Sequence, residues 1–263
     1  MPLFVVATPI GNLSDLSPRG RTVLTQAAVV LCEDTRRTRR LYAGLGLPAP
    51  RLVSCHSHNE SSRVDAVVAQ VAAGEIVALV SDAGTPGLSD PGGVVVSAVL
   101  AAGLPVRVVP GPSAIAAALS ASGFPATPHH FLGFPPRKQG ELLRFLTDAS
   151  RLPGPLVMLE SGRRLGKLIA ALQTLMPGRE ACICRELTKI HEEVIRGPVE
   201  ELPAEARPGE VVVVLGSGDA VTAAAPVQSG TGLKAAAALL APRWGCTRRE
   251  AYQRLLAVEA SNP

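Results

Sequence analysis

Between residues 3 and 123, five short strand-like runs alternate with five helical stretches. The runs cover 3–7, 29–32, 51–55, 76–80 and 106–109. Runs this short read as strands, and the three wholly apolar ones, 3–7, 29–32 and 76–80, as strands buried on both faces. Helices between them return the chain to the same sheet edge, so the strands must be parallel. The helix signals agree. Ser17-Pro18 is an N-cap with a first-turn proline, and Val64, Val67, Val68 and Val71 recur at core spacing before Gly74. A basic helix spans 35–42, and an Ala-rich one runs to Gly123. This predicts an α/β fold: an open parallel sheet with helices on both faces over residues 1–123.

The longest break in this pattern is Ser81-Asp82-Ala83-Gly84-Thr85-Pro86-Gly87-Leu88-Ser89-Asp90-Pro91-Gly92-Gly93. An ordinary strand-to-helix turn takes about two to six residues. This one is longer and carries four glycines and two prolines, residues that make tight turns and let backbone approach a ligand. Its end, Asp90 followed by Pro91, reads as the N-cap and first position of the next helix. Two more such turns follow strands, Thr8-Pro9-Ile10-Gly11 and Pro110-Gly111-Pro112-Ser113, and Glu33-Asp34 forms an acidic exit. Ligands of open α/β sheets bind at these carboxyl ends. Exposed amides there hold anions and carbonyls face cations, which suits a zwitterionic cofactor with a positive sulfur.

Residues 124–138 are proline-rich and form a boundary. Beyond it, strand-like runs at 131–134, 156–159, 181–184, 193–196 and 211–215 accompany helical periodicity at 140–149 and 163–175, a pattern for a mixed-sheet domain over 124–219. Residues 220–263 form a small-residue linker and a helical tail, with Thr247-Arg248-Arg249-Glu250 as a capping box.

No apolar run reaches the roughly 18 residues of a membrane span, and the expectation is a soluble, cytoplasmic protein. The five cysteines lack C-x-x-C spacing and read as buried free thiols. His56, His58 and Glu60 make an incomplete metal set, so no metal is expected. The P-loop, G-x-G-x-x-G, H-E-x-x-H and G-x-S-x-G patterns are all absent. The formal charge is +4, and only four of 26 basic residues are lysine. Arg36, Arg37, Arg39 and Arg40 cluster just past the acidic exit. They read either as a solvated helix face or as phosphate contacts, and Arg137, Lys138, Arg163 and Lys189 could extend the track. Lys234, Arg243, Arg248, Arg249 and Arg254 make the tail a further basic surface.

The motifs Thr8-Pro9-Ile10-Gly11-Asn12-Leu13, Glu33-Asp34-Thr35-Arg36, His56-x-His58-Asn59-Glu60, Ser81 to Pro86, Pro110-Gly111-Pro112-Ser113, Arg185-Glu186-Leu187-Thr188-Lys189 and Gly209-Glu210 occur in that order. In combination they resemble the RsmI-type ribosomal RNA ribose 2′-O-methyltransferases of the tetrapyrrole-methylase superfamily, over essentially the whole chain. The resemblance implies a two-domain methylase that binds S-adenosylmethionine between its domains, forms a homodimer, and methylates a cytidine 2′-hydroxyl in 16S RNA of the small ribosomal subunit. It implies cofactor contacts at Pro9, Ile10, Gly11, Asp82, Gly84, Thr85, Pro86, Pro110, Gly111, Ser113 and Ala114, with Leu159 and Thr188 from the second domain. A ribose hydroxyl is a weak nucleophile, so a proton acceptor would help. Glu33, Asp34, His56 and Glu60 stand at strand exits and are the candidates, each with a capping or hydrogen-bonding role as the alternative. Two rival readings remain: a methylase of a small tetrapyrrole, or a non-catalytic RNA-binding assembly factor.

Overall fold

The computed structural model describes residues 1–218, 237, 241 and 246–253. Met1–Gly218 forms one compact unit and Asp219–Pro263 a second. The first unit contains two five-stranded sheets.

The first sheet is built from β1 (Leu3–Val6), β2 (Val29–Cys32), β3 (Arg51–Ser54), β4 (Val77–Leu79) and β5 (Val106–Val109), in the order β3-β2-β4-β1-β5. Every pairing is parallel. Alternation along the strands sends side chains to opposite faces. Leu3 and Val5 pack with Val67 and Val71 of α3 (Val64–Ala72) and with Val95 and Val99 of α4 (Gly93–Ala101). Val6 packs on the other face with Leu24 of α1 (Pro18–Gln26) and Tyr42 of α2 (Thr35–Gly44). Ser17 caps α1 through the Gly20 amide, as its sequence predicts. Asp34 does the same for α2 through the Arg36 amide.

One helix start differs from expectation. Asp90 and Pro91 do not open α4. Gly92, at φ +125°, occupies the cap position, and a Cβ there would come within 2.6 Å of Leu79 Cδ2. The amides of Gly92, Val94 and Val95 donate instead to Glu60 Oε1, at 2.9, 2.7 and 3.3 Å. A carboxylate brought from the α3 side thus satisfies the orphan donors and complements the helix dipole, and Asp90 is left outside the helix.

The second sheet has the order β6-β7-β10-β8-β9, with β6 (His130–Phe131), β7 (Leu156–Ser161), β8 (Glu180–Arg185), β9 (Glu193–Pro198) and β10 (Glu210–Leu215). β6 and β7 are parallel and the other pairings antiparallel, so the sheet is mixed. Leu142 and Leu146 of α6 (Gln139–Ala149) and Leu168, Ile169 and Leu172 of α7 (Leu165–Leu175) cover one face. The other face is covered by Ala118 and Leu119 of α5 (Ala114–Ser122) against Val157, Cys182 and Val214. Although α5 follows the last strand of the first sheet, it packs on the second, and so ties the two together.

In the Asp219–Pro263 unit, the Thr247 amide and hydroxyl donate to Glu250 Oε2, and the Glu250 amide donates back to Thr247 Oγ1 at 3.3 Å, completing the capping box. Ala237, Ala241 and Ala251 form a small apolar cluster there. The 220–232 linker, Lys234, Arg243 and Arg254 lie outside the described residues.

Candidate active site

Because β2, β4, β1 and β5 are neighbours in that order, their exits stand side by side. Hydrogen bonds stitch them together. The Asp34 amide donates to Asp82 Oδ1 at 3.0 Å. Thr8 and Gly84 exchange backbone bonds at 2.9 and 3.1 Å. Thr85 Oγ1 donates to the Pro112 carbonyl at 3.0 Å. Gly84 sits at φ +82°, a conformation a β-branched residue would resist.

The second sheet closes over this row. Asn12 donates its amide to Thr188 Oγ1 at 3.1 Å. A Cβ on Gly11 would lie 2.5 Å from Lys189 Cγ and 2.7 Å from Thr188 Oγ1, so glycine is what allows the approach. Lys189 Nζ bridges Glu186 at 2.8 Å and Glu210 at 2.9 Å. Ser89, Glu186 and Thr188 have φ values of 67°, 51° and 66°. Such strained non-glycine backbone persists only where its surroundings enforce it, and it concentrates at functional sites.

Between the halves lies a cleft of about 400 Å³, within the size range of small-molecule sites. Ile10, Asp82, Ala83, Gly84, Thr85, Ser113 and Ala114 line it from the first half, and Leu159, Cys184, Leu187 and Val212 from the second. An adjoining hollow of about 310 Å³ is bordered by Pro9, Ile10, Gly11, Arg37 and Arg40. Of the other expected cofactor contacts, Pro86, Pro110, Gly111 and Thr188 line neither space. Gly111 is close-packed instead, since a Cβ there would come within 3.1 Å of Ala7 Cβ.

The four proton-acceptor candidates separate. Glu33 lines the cleft. Burial, reinforced by the Asp82 charge, raises its pKa above the usual carboxylate value. Asp34 caps α2 and is held far below the usual range by hydrogen bonds from Arg36. His56 and Glu60 line neither space: the His56 amide is tied to Asn59 Oδ1 at 2.7 Å, and Glu60 holds α4.

The basic candidates separate too. Arg37 lines the cleft, with Nε 3.4 Å from Asp82, and Lys189 lines it inside its acidic pair. Arg36 pairs with Asp34. Arg39 and Arg40 are exposed, as are Arg137, Lys138 and Arg163. Lys138 pairs with Glu141 at 3.2 Å.

Sequence reading missed several lining residues: Leu88, Ser89, Asp90, Ile115, Phe134 and Glu160. Burial first, then the like charges of Glu33 and Asp82, push the Asp90 carboxyl up to about 6. The Ser81 hydroxyl opposes that rise. For Leu88, Ser89 and Asp90 the signal was the length of the 81–93 ligand loop that holds them, which exceeds what a cap needs; Ile115, Phe134 and Glu160 lie outside it.

Residues 2–203 match the Tetrapyrrole (Corrin/Porphyrin) Methylases. The chain belongs to this family. Among curated relatives, a protein of Xylella fastidiosa named ribosomal RNA small subunit methyltransferase I is 40% identical to this chain over 225 residues, covering 82% of each chain. A protein of the same name from Micromonospora olivasterospora is 41% identical over 224 residues, covering 83% of this chain and 71% of that one. Among solved structures, uroporphyrin-III-C-methyltransferase from Thermus thermophilus superposes with a TM-score of 0.57 at 25% identity, covering 85% of this chain and 97% of that one. A diphthine synthase shares the fold at a TM-score of 0.59 and 16% identity, over 81% and 89% of the two chains. Among the described residues no helix is long and apolar enough to cross a membrane.

Proposed function

We propose that this protein is an S-adenosylmethionine-dependent methyltransferase acting on the 2′-hydroxyl of a cytidine in 16S RNA of the small ribosomal subunit. The observation that carries the reading is the cleft itself. Three backbone bends from adjacent parallel strands meet a partly apolar wall at Leu159 and Leu187, beside the carboxylates Glu33 and Asp82. The donor set fits the cofactor: an apolar wall for a purine, carbonyls for polarised C–H groups, and negative charge for a sulfonium. Bound there, S-adenosylmethionine supplies an electrophilic methyl group. The chain's part is alignment in a site shielded from water, with the stitched exits fixing the geometry before substrate arrives. The names of the curated relatives support the RNA substrate.

The exposed Arg39 and Arg40 lie on the helix that leaves the acidic exit, where they would meet phosphates flanking the target ribose. A homodimer is part of the same reading. Val108 on edge strand β5, 57% exposed, aligns with Val5 on the α3–α4 face of the sheet and offers apolar surface to a second copy. Sedimentation of the purified chain tests that part.

The deciding experiment incubates the protein and labelled cofactor with 30S particles, free 16S RNA and a uroporphyrin-type tetrapyrrole. Label in the RNA that survives alkaline hydrolysis as a dinucleotide is expected, because a 2′-O-methyl group blocks cleavage. Label in the tetrapyrrole alone would replace this reading with the small-molecule one. Absence of label everywhere, with cofactor binding also absent, would favour an assembly factor.

A further inference from the structure

We infer that Asp90 accepts the proton of the ribose hydroxyl, an assignment that rests on the methyltransferase reading above. Three carboxylates of the first half, Glu33, Asp82 and Asp90, line the cleft, and they differ in what already engages them. Asp82 accepts the Asp34 amide at 3.0 Å and has Arg37 Nε at 3.4 Å. Glu33 feels the positive fields of Arg37 and His56, which favour its charged form. Asp90 has no ion-pair partner among the described residues, and its electrostatic neighbours are the Ser81 hydroxyl and the two other carboxylates. Of the three it is the one with no cation among its neighbours.

Its position suits an incoming nucleotide. Asp90 follows the strained Ser89, φ 67°, and a Cβ on Gly133 would stand 3.6 Å from Ser89 Oγ. The turn is therefore lodged against Gly133 of the second half. Phe134 lines the same cleft and is 59% exposed, so this corner is the open rim through which a ribose would enter. Glu60 explains why Asp90 is available: it holds the start of α4, the task the Asp-Pro-Gly pattern had suggested for Asp90.

The other charged groups lining the cleft are occupied. Glu160 of β7 pairs with Arg164 at 3.0 Å. Lys189 is held by Glu186 and Glu210 at 2.8 and 2.9 Å. Burial and the like charges of Glu33 and Asp82 raise the Asp90 carboxyl to about 6. That value leaves it ionised at neutral pH and still basic enough to take a proton as the hydroxyl reacts. The step balances. The 2′-oxygen bonds to the methyl carbon, and the carbon–sulfur bond breaks with its electron pair passing to sulfur. The O–H proton moves to Asp90, so sulfonium and carboxylate become thioether and carboxylic acid.

The test compares the pH dependence of methyl transfer into 30S particles for wild type, Asp90→Asn, Asp90→Glu and Glu33→Gln. Calorimetry with S-adenosylhomocysteine monitors the cofactor site. The wild type should lose rate in acid with an apparent pKa of about 6. Asp90→Asn should lower the neutral-pH rate by roughly 100-fold or more and erase the acidic limb while S-adenosylhomocysteine affinity is retained. Glu33→Gln should keep the limb and move it to lower pH, because one repelling charge is gone. Carboxyl NMR of the free protein should show one group titrating at about 6 that vanishes in Asp90→Asn. A wild-type rate and profile in Asp90→Asn, or a limb lost in Glu33→Gln instead, overturns the assignment. Should Asp90→Asn fail to bind S-adenosylhomocysteine, Asp90→Glu decides: a displaced limb supports the assignment and an unmoved one overturns it. A wild type that methylates no RNA would strike down the functional reading instead.

Discussion

The first sheet reaches the cleft with a wall of strand-end loops, backbone together with the carboxylates Glu33, Asp82 and Asp90, and the second with side chains spaced along its strands. Parallel strands all end on one edge, so β2, β4, β1 and β5 deliver four exits in a row, and those exits bond to one another. A mostly antiparallel sheet sends successive strand ends in opposite directions. Its contribution is therefore drawn from positions along strands, Leu159 and Glu160 on β7, Cys184 on β8 and Val212 on β10, plus the strained 186–189 turn. The backbone wall leaves no room for a Cβ at Gly11, where the halves meet. The side-chain wall should tolerate replacements of similar shape.

Gly11→Val is the harshest way to test that contrast. Its new side chain would collide with Lys189 Cγ, Thr188 Oγ1 and the Leu187 carbonyl. Forcing the halves apart by even an ångström should cut turnover about 100-fold with folding retained. Steady-state rates together with circular dichroism check this, and a near-normal rate would break the comparison.

Glu60→Ala probes what anchors the backbone wall. It strips three amides of their buried acceptor, so stability should fall by about 3 kcal/mol, read by urea unfolding. Leu159→Ala probes the other wall. Losing part of one apolar contact should weaken S-adenosylhomocysteine binding about tenfold, from the ~25 cal/mol per Å² of buried apolar area, with stability little changed.

The smallest effect is expected at Glu193, which bridges Arg185 at 2.9 Å and Arg207 at 2.8 Å away from the cleft. Glu193→Gln should cost no more than ~1 kcal/mol, and less in high salt.

The pH dependence of stability sharpens the comparison further. A carboxyl raised from 3.8 to about 6 on folding binds its proton more tightly in the native state. Its contribution to stability is full below the unfolded value and is lost as pH rises through that window. Asp90→Asn should flatten that fall, measured by thermal unfolding across the acidic range.

Much of the architecture was legible along the chain. The ten strand-like runs correspond to β1 through β10, and the alternation of the first half gave its parallel sheet. Strand burial, Ser17 as a cap and the glycine exits are short-range properties, set by a residue's own backbone preference and by hydrophobic period. Strand order is not of that kind. That β4, β1 and β5 are adjacent, and that α5 crosses to the second sheet, follows from how the crossover helices pack.

The same division runs through the site. Asp34-Thr35-Arg36 announces a cap, and Asp34 is one. Asp90-Pro91 announces one just as clearly, but Glu60, about thirty residues earlier, takes the role. Which segments become strands, and where the chain must bend, is written in local preference and hydrophobic period. Which carboxylate holds a helix and which stays outside it is settled on folding, because that choice depends on groups far apart in the chain competing for the same amides.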